Sequence, residues 1–103
     1  MNKIILSRIS NTVHAVDPGA ELFLFGSRAR GDNRPDSDWD LLILVDVDKI
    51  TQPVEDKFRE KLYDIELESG QIISTFIYTK DFWKGSLQFS PLYGSVSKEG
   101  VRL

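Results

Sequence analysis

Two short apolar runs, "ELFLF" and "LLILV", are separated by the polar stretch Ser27 to Ser37 and two aspartates, and that spacing constrains the fold more than any other feature. Each run is too short for a helix and rich in Phe, Leu, Ile or Val, so each reads as a buried strand. A parallel pair is ordinarily joined through a full crossover helix packed on the sheet. The link here is too short for one, so a tight or antiparallel pairing is expected. Within "DWDLLILV" strand alternation puts Asp38, Asp40, Leu42 and Leu44 on one face and Trp39, Leu41, Ile43 and Val45 on the other. Both carboxylates share a face, and neither looks needed for folding.

The flanks supply the covering layer. Leu6, Ile9, Val13 and Val16 recur at helical spacing between Met1 and Val16, and Pro18-Gly19 stops the segment. Val54, Phe58, Leu62 and Ile65 do the same in "PVEDKFREKLYDIELESG", which begins with Pro53 and ends at Gly70. "QIISTFIYT" reads as a third strand. The remaining "KDFWKGSLQFSPLYGSVSKEGVRL" reads as a tail with turns at Gly85, Ser90-Pro91 and Gly94. The order predicts an α/β (α+β) fold, a small mixed sheet of three to four strands with helices packed on it, as one domain over residues 1–103.

Charge and composition narrow the function classes. A net charge of −3 and a sequence pI near 5.1 argue against a broad grip on nucleic-acid phosphates, leaving room for a local basic site. The chain has no cysteine, so disulfides and thiolate–metal chemistry are excluded. No apolar core of signal-peptide length precedes Arg8, and no run approaches the roughly 20 residues that span a bilayer. A cytoplasmic protein without a membrane partner is expected.

The stretch "FGSRARGDNRPDSDWDLLIL" carries the chemistry. Glycine at a strand end admits a ligand close to the backbone, serine adds a hydroxyl, and a short helix begun in "SRARGD" would aim its first N–H groups at the same point. Arg28 and Arg30 offer guanidinium forks suited to phosphate oxygens. Asp38 and Asp40, two apart on one strand, lie close enough to hold magnesium together and too close to be comfortable without a cation. A phosphate cradle facing a carboxylate pair is the equipment of nucleotidyl transfer. Each feature alone has a bland explanation in turn and strand-end preferences. Four specified residues at fixed spacing have a background probability on the order of 10⁻⁵ per start position.

"GSRARGDNRPDSDWDLLILVD" resembles the signature of the minimal nucleotidyltransferases of the DNA polymerase beta-like superfamily: Gly-Ser, often Ala-Arg-Gly, a loop, then Ser-Asp-x-Asp-Leu. The ending "SPLYGSVSKEGV" resembles small members as well. The resemblance implies an NTP-dependent transferase with Mg2+ at the catalytic pair Asp38 and Asp40. Gly26, Ser27, Arg28, Arg30 and Ser37 would line the nucleotide, ATP being the expected donor. It also implies a HEPN-domain partner, since small members work beside such a protein and some attach AMP to its tyrosine. One departure stands out. Active members usually carry a third carboxylate on a later strand, where this chain has Ser74 or Thr75, and a hydroxyl is a poor magnesium ligand. Asp64, Glu66 and Glu68 fall at a helix end instead.

Two functions therefore compete: an enzyme transferring AMP from magnesium–ATP to a hydroxyl on a partner protein, and a catalytically weak or inactive module that works by stoichiometric contact with a HEPN partner. Among the other residues, His14 reads as a surface histidine, Trp39 as a core anchor, and the alternating charges around Lys57, Arg59 and Lys61 as an exposed helix face. Phe82, Trp83, Leu87, Phe89, Leu92 and Tyr93 either wrap the tail back over the sheet or offer a partner surface.

Overall fold

A computed structural model describes residues 3–103. Helix α1, Lys3–Val16, runs to the Pro18-Gly19 turn; the first two residues of the expected helix lie outside the described residues. Strand β1, Glu21–Phe25, follows, then a single helical turn α2, Ser27–Arg30, and strand β2, Trp39–Val45. Helix α3, Gln52–Ser69, opens on a Thr51 cap whose hydroxyl accepts from the Val54 N–H and closes at Gly70, φ 71°, in the left-handed conformation that glycine supplies. Strand β3, Ile73–Thr79, helices α4, Lys80–Lys84, and α5, Pro91–Glu99, and strand β4, Val101–Arg102, complete the chain.

Among the described residues the strands form one four-stranded sheet in the order β3-β2-β1-β4. β1 and β2 pair antiparallel, Phe25 opposite Asp40, as the short link requires. β2 and β3 pair parallel with α3 as the crossover, and the register sets Ser74 opposite Asp40. β4 pairs antiparallel to β1 on the far edge. The mixed α/β sheet with packed helices matches the fold expected from sequence.

Leu41 to Val45 are all almost wholly buried, so β2 is covered on both sides. On one side Trp39, Leu41, Ile43 and Val45 meet Ile5, Ile9 and Val13 of α1 and Phe58, Leu62 and Ile65 of α3. Fully burying each such side chain contributes about 1.5–3 kcal/mol. The α1 stripe is led by Ile5, with Leu6 only partly buried, because positions 5, 9 and 13 stack four apart down the helix. His14 is half-buried, its Nε2 3.3 Å from the Leu103 carbonyl oxygen.

The opposite face corrects the reading of the tail as turns. Leu42 and Leu44 form a second core with Phe25, Trp83 and Val96, flanked by Leu87, Leu92 and Tyr93. The Trp83 and Tyr93 rings sit 5.0 Å apart. Ser90 caps α5, its Oγ accepting from the Tyr93 N–H at 3.1 Å, Pro91 starts the helix, and Gly94 lies inside it rather than in a turn. The tail thus wraps over the sheet, while Phe82 and Phe89 stay exposed. No described helix is long and apolar enough to cross a membrane.

Candidate functional site

β1 ends at Phe25, and the backbone must turn away at once because the partner strand carries Asp40 there. Gly26 makes that turn with φ 76° and ψ −162°, a region open essentially to glycine alone. A Cβ at this position would overlap Oδ2 of Asp40 and lie 3.1 Å from its Cγ. The Asp40 carboxylate is therefore packed directly on the glycine backbone, and turn and acid are built as one unit. α2 follows with no side chain capping its first N–H groups, and ends at Gly31, φ 85°, whose N–H donates to the Ser27 carbonyl oxygen. Ser27 is thus the first residue of a turn bracketed by two glycines of positive φ.

Asp38 lies just before β2 and is exposed; Asp40 is half-buried. The pKa of Asp40 is raised, first by burial and then by the charge of Asp38, with Arg30 opposing and Glu99 adding to the rise. A half-buried carboxylate beside a second one is a donor set of the kind that suits a hard divalent cation. Among the described residues no cluster of three or more His, Cys, Asp or Glu side chains could hold a metal. The β3 register answers which hydroxyl stands at the third position: Ser74 is opposite Asp40 and shares its face, whereas Thr75 points to the α3 side, where its carbonyl oxygen accepts from Arg59. Two of the acids at the end of α3 serve the scaffold. Glu66 accepts from the Ile73 N–H, and Glu68 pairs with Arg8.

The two arginines part company. Arg28 folds back on the loop, donating to the carbonyl oxygens of Ser37 at 3.0 Å and Pro35 at 3.1 Å and to Gln71 Oε1 at 3.1 Å. Its guanidinium carbon stands 4.3 Å over the Trp39 ring. Trp39, buried as expected of a core anchor, donates its Nε1–H to the same Gln71 oxygen. Ser37 ties the loop too, its Oγ accepting from the Arg34 N–H at 2.8 Å. Arg28 and Ser37 thus hold the strap between Gly31 and Asp38. Arg30 projects outward instead. Its Nε donates to Asp32 at 3.1 Å and its Nη1 to Glu99 at 2.7 Å, bonds that raise its pKa.

Gln71 and Glu99 were not singled out from sequence. Gln71 is the first residue of the expected third strand, with nothing to mark it, and lies just ahead of β3 in the structure. Glu99 stands in the "SKEG" of the ending, but its partner lies 69 positions away, and such a pairing leaves no local pattern.

The family model for the nucleotidyltransferase domain matches residues 6–98. No curated protein matches the sequence. Among solved structures, a toxin–antitoxin with AMP-PNP shares the fold at TM-score 0.63 and 16% identity, covering 99% of this chain and 72% of that one. An MntA–HpeT toxin–antitoxin carrying a tyrosine-to-alanine change is similar at TM-score 0.63 and 18% identity, covering 95% and 70%. A third, the same pair with two aspartates two positions apart replaced by glutamate, gives TM-score 0.63 and 15% identity over 93% and 69%. Since the family match takes in the Gly26 turn, both aspartates and the strand bearing Ser74, the chain belongs to the nucleotidyltransferase domain family.

Proposed function

We propose that the chain transfers AMP from magnesium–ATP to a hydroxyl on a partner protein, as the antitoxin of a HEPN partner. The observation that carries this reading is Asp40 packed on Gly26, which sets one carboxylate of the pair directly on the Gly-Ser turn. The donor is supported by a similar structure described with AMP-PNP, and the partner by the toxin–antitoxin neighbours. The ending's resemblance to small minimal nucleotidyltransferases supports HEPN in particular.

In this reaction the acceptor oxygen bonds to the α-phosphorus while the bond to the α–β bridging oxygen breaks, pyrophosphate leaves, and the acceptor's proton is lost to a base. Asp38 and Asp40 are the residues that would hold Mg2+, which when bound supplies neutralising charge for the phosphates. Gly26 lets the phosphate chain approach the backbone, and Ser27 contributes its hydroxyl beside it. Arg30 keeps N–H donors beyond those spent on Asp32 and Glu99, and they stabilise charge on the leaving oxygens. Ser74, opposite Asp40, can hydrogen-bond an incoming alcohol but cannot take its proton at neutral pH. The proton passes instead to water or to a group on the partner, and transfer is slow without a third carboxylate on the strand.

The missing acid also favours the second reading, a nucleotidyltransferase-fold module acting by stoichiometric contact. Mass spectrometry of the partner after incubation with magnesium–ATP separates the two. Added AMP that requires Asp38 and Asp40 supports transfer; unmodified partner in a stable complex, unaffected by Asp38→Asn, supports the module.

A further inference from the structure

α5 ends at Glu99 for identifiable reasons. Val96, three residues earlier and so on the same side of the helix, is buried against the sheet. The Gly100 N–H donates to the Val96 carbonyl oxygen at 2.8 Å, and β4 then pairs with β1 at Leu24 and Phe23, next to the Gly26 turn. These contacts carry the Glu99 carboxylate to the rim of the site. Its side chain is 18% exposed, against 62% for Asp32, the other carboxylate on Arg30. Asp32 is a local partner on a solvated loop; Glu99 is an anchor fixed by tertiary structure.

A carboxylate there is electrostatically costly for a site that takes a triphosphate, since it adds negative charge beside Asp40. What it gains is a fixed guanidinium. Arginine's long side chain has many rotamers, and a phosphate ligand that meets it already ordered loses less entropy on binding.

We propose that Glu99 is a positioning residue that holds Arg30 in place for the triphosphate. The inference rests on the nucleotidyl-transfer reading. It makes the C-terminal segment, and not only the Gly-Ser and Asp-x-Asp stretch, part of nucleotide recognition: α5 and β4 must be docked for Arg30 to be set.

Two substitutions separate reach from charge. Glu99→Asp keeps the charge and shortens the side chain by one methylene, breaking the 2.7 Å contact. Glu99→Gln keeps the length and an acceptor oxygen while removing the charge. Calorimetric titration with magnesium–ATP should show Glu99→Asp weakened about tenfold, the scale of one charge-assisted hydrogen bond, and Glu99→Gln within about threefold of wild type. On an Arg30→Ala background, Glu99→Asp should change nothing further. Tighter binding by Glu99→Gln with wild-type binding by Glu99→Asp would mean that Glu99 acts only as a repelling charge, and overturns the inference. So does an equal loss from Glu99→Asp with and without Arg30. No magnesium-dependent ATP binding by wild type overturns the nucleotidyl-transfer reading itself and this inference with it, whereas binding that survives Glu99→Asp overturns the inference alone.

Discussion

Gly26→Ala tests the join between the turn and the acid. The backbone at φ 76° and ψ −162° costs an L-residue about 1–3 kcal/mol. The new Cβ also overlaps Asp40 Oδ2, and driving that carboxylate off its rotamer adds about 0.5–1.5 kcal/mol. Against this stands the smaller unfolded-state entropy of alanine, worth about 0.4–1 kcal/mol in the other direction. The net expectation is a loss of about 2–3 kcal/mol. A domain of this size is stable by roughly 5–15 kcal/mol, so the variant should fold with Tm lowered by about 10–20 °C. Calorimetric melting with and without magnesium–ATP measures both consequences. The displaced carboxylate should also abolish the gain from magnesium–ATP. In an Asp40→Ala background the nearest atom left is the Cβ of residue 40, 3.3 Å away, so the clash is relieved and the glycine substitution should cost about 1 kcal/mol less. If Gly26→Ala melts within about 2 °C of wild type, or costs the same in both backgrounds, the packing of Asp40 on this turn is wrong.

Asp40 is held above the ordinary aspartate pKa by burial and by Asp38, so between about pH 4 and that raised value the folded protein binds more protons than the unfolded chain, and stability falls as pH rises. Asp40→Asn should remove this loss, so the Tm difference between the metal-free proteins should widen in the variant's favour with rising pH; a difference independent of pH refutes it. Arg28→Ala should lower stability by about 2 kcal/mol in urea unfolding, since it removes a cation–π contact and three acceptors' bonds at once. Arg28→Lys should not restore it, and a silent Arg28→Ala would mean that these contacts do not hold the loop. Ser74→Asp places a third carboxylate opposite Asp40, and labelling of the partner with AMP should rise at least about tenfold, a part of the 10²- to 10⁴-fold that a well-positioned base contributes. Labelling unchanged by Ser74→Asp, with the variant folded, would mean that the absent acid does not limit turnover.

Local pattern determined much of this protein. The short polar link between two apolar runs left antiparallel pairing of Glu21–Phe25 with Trp39–Val45 as the workable geometry, and a period of two led to the expectation of Asp38 and Asp40 on one face. The unbroken run Leu41 to Val45 already required cover on both sides of the sheet, and one of those covers, α1 with α3, was written at helical spacing. The other was not, because the tail's apolar residues are split between two short helices and the turn that joins them, too little of either helix to show a period, and dock through contacts distant in sequence. For the same reason tertiary structure alone decided the fates of the two arginines. Arg28 and Arg30 are chemically identical and two residues apart on one helical turn, so they diverge: one lies over Trp39, and the other meets Glu99, brought from the end of the chain by the pairing of β4 with β1.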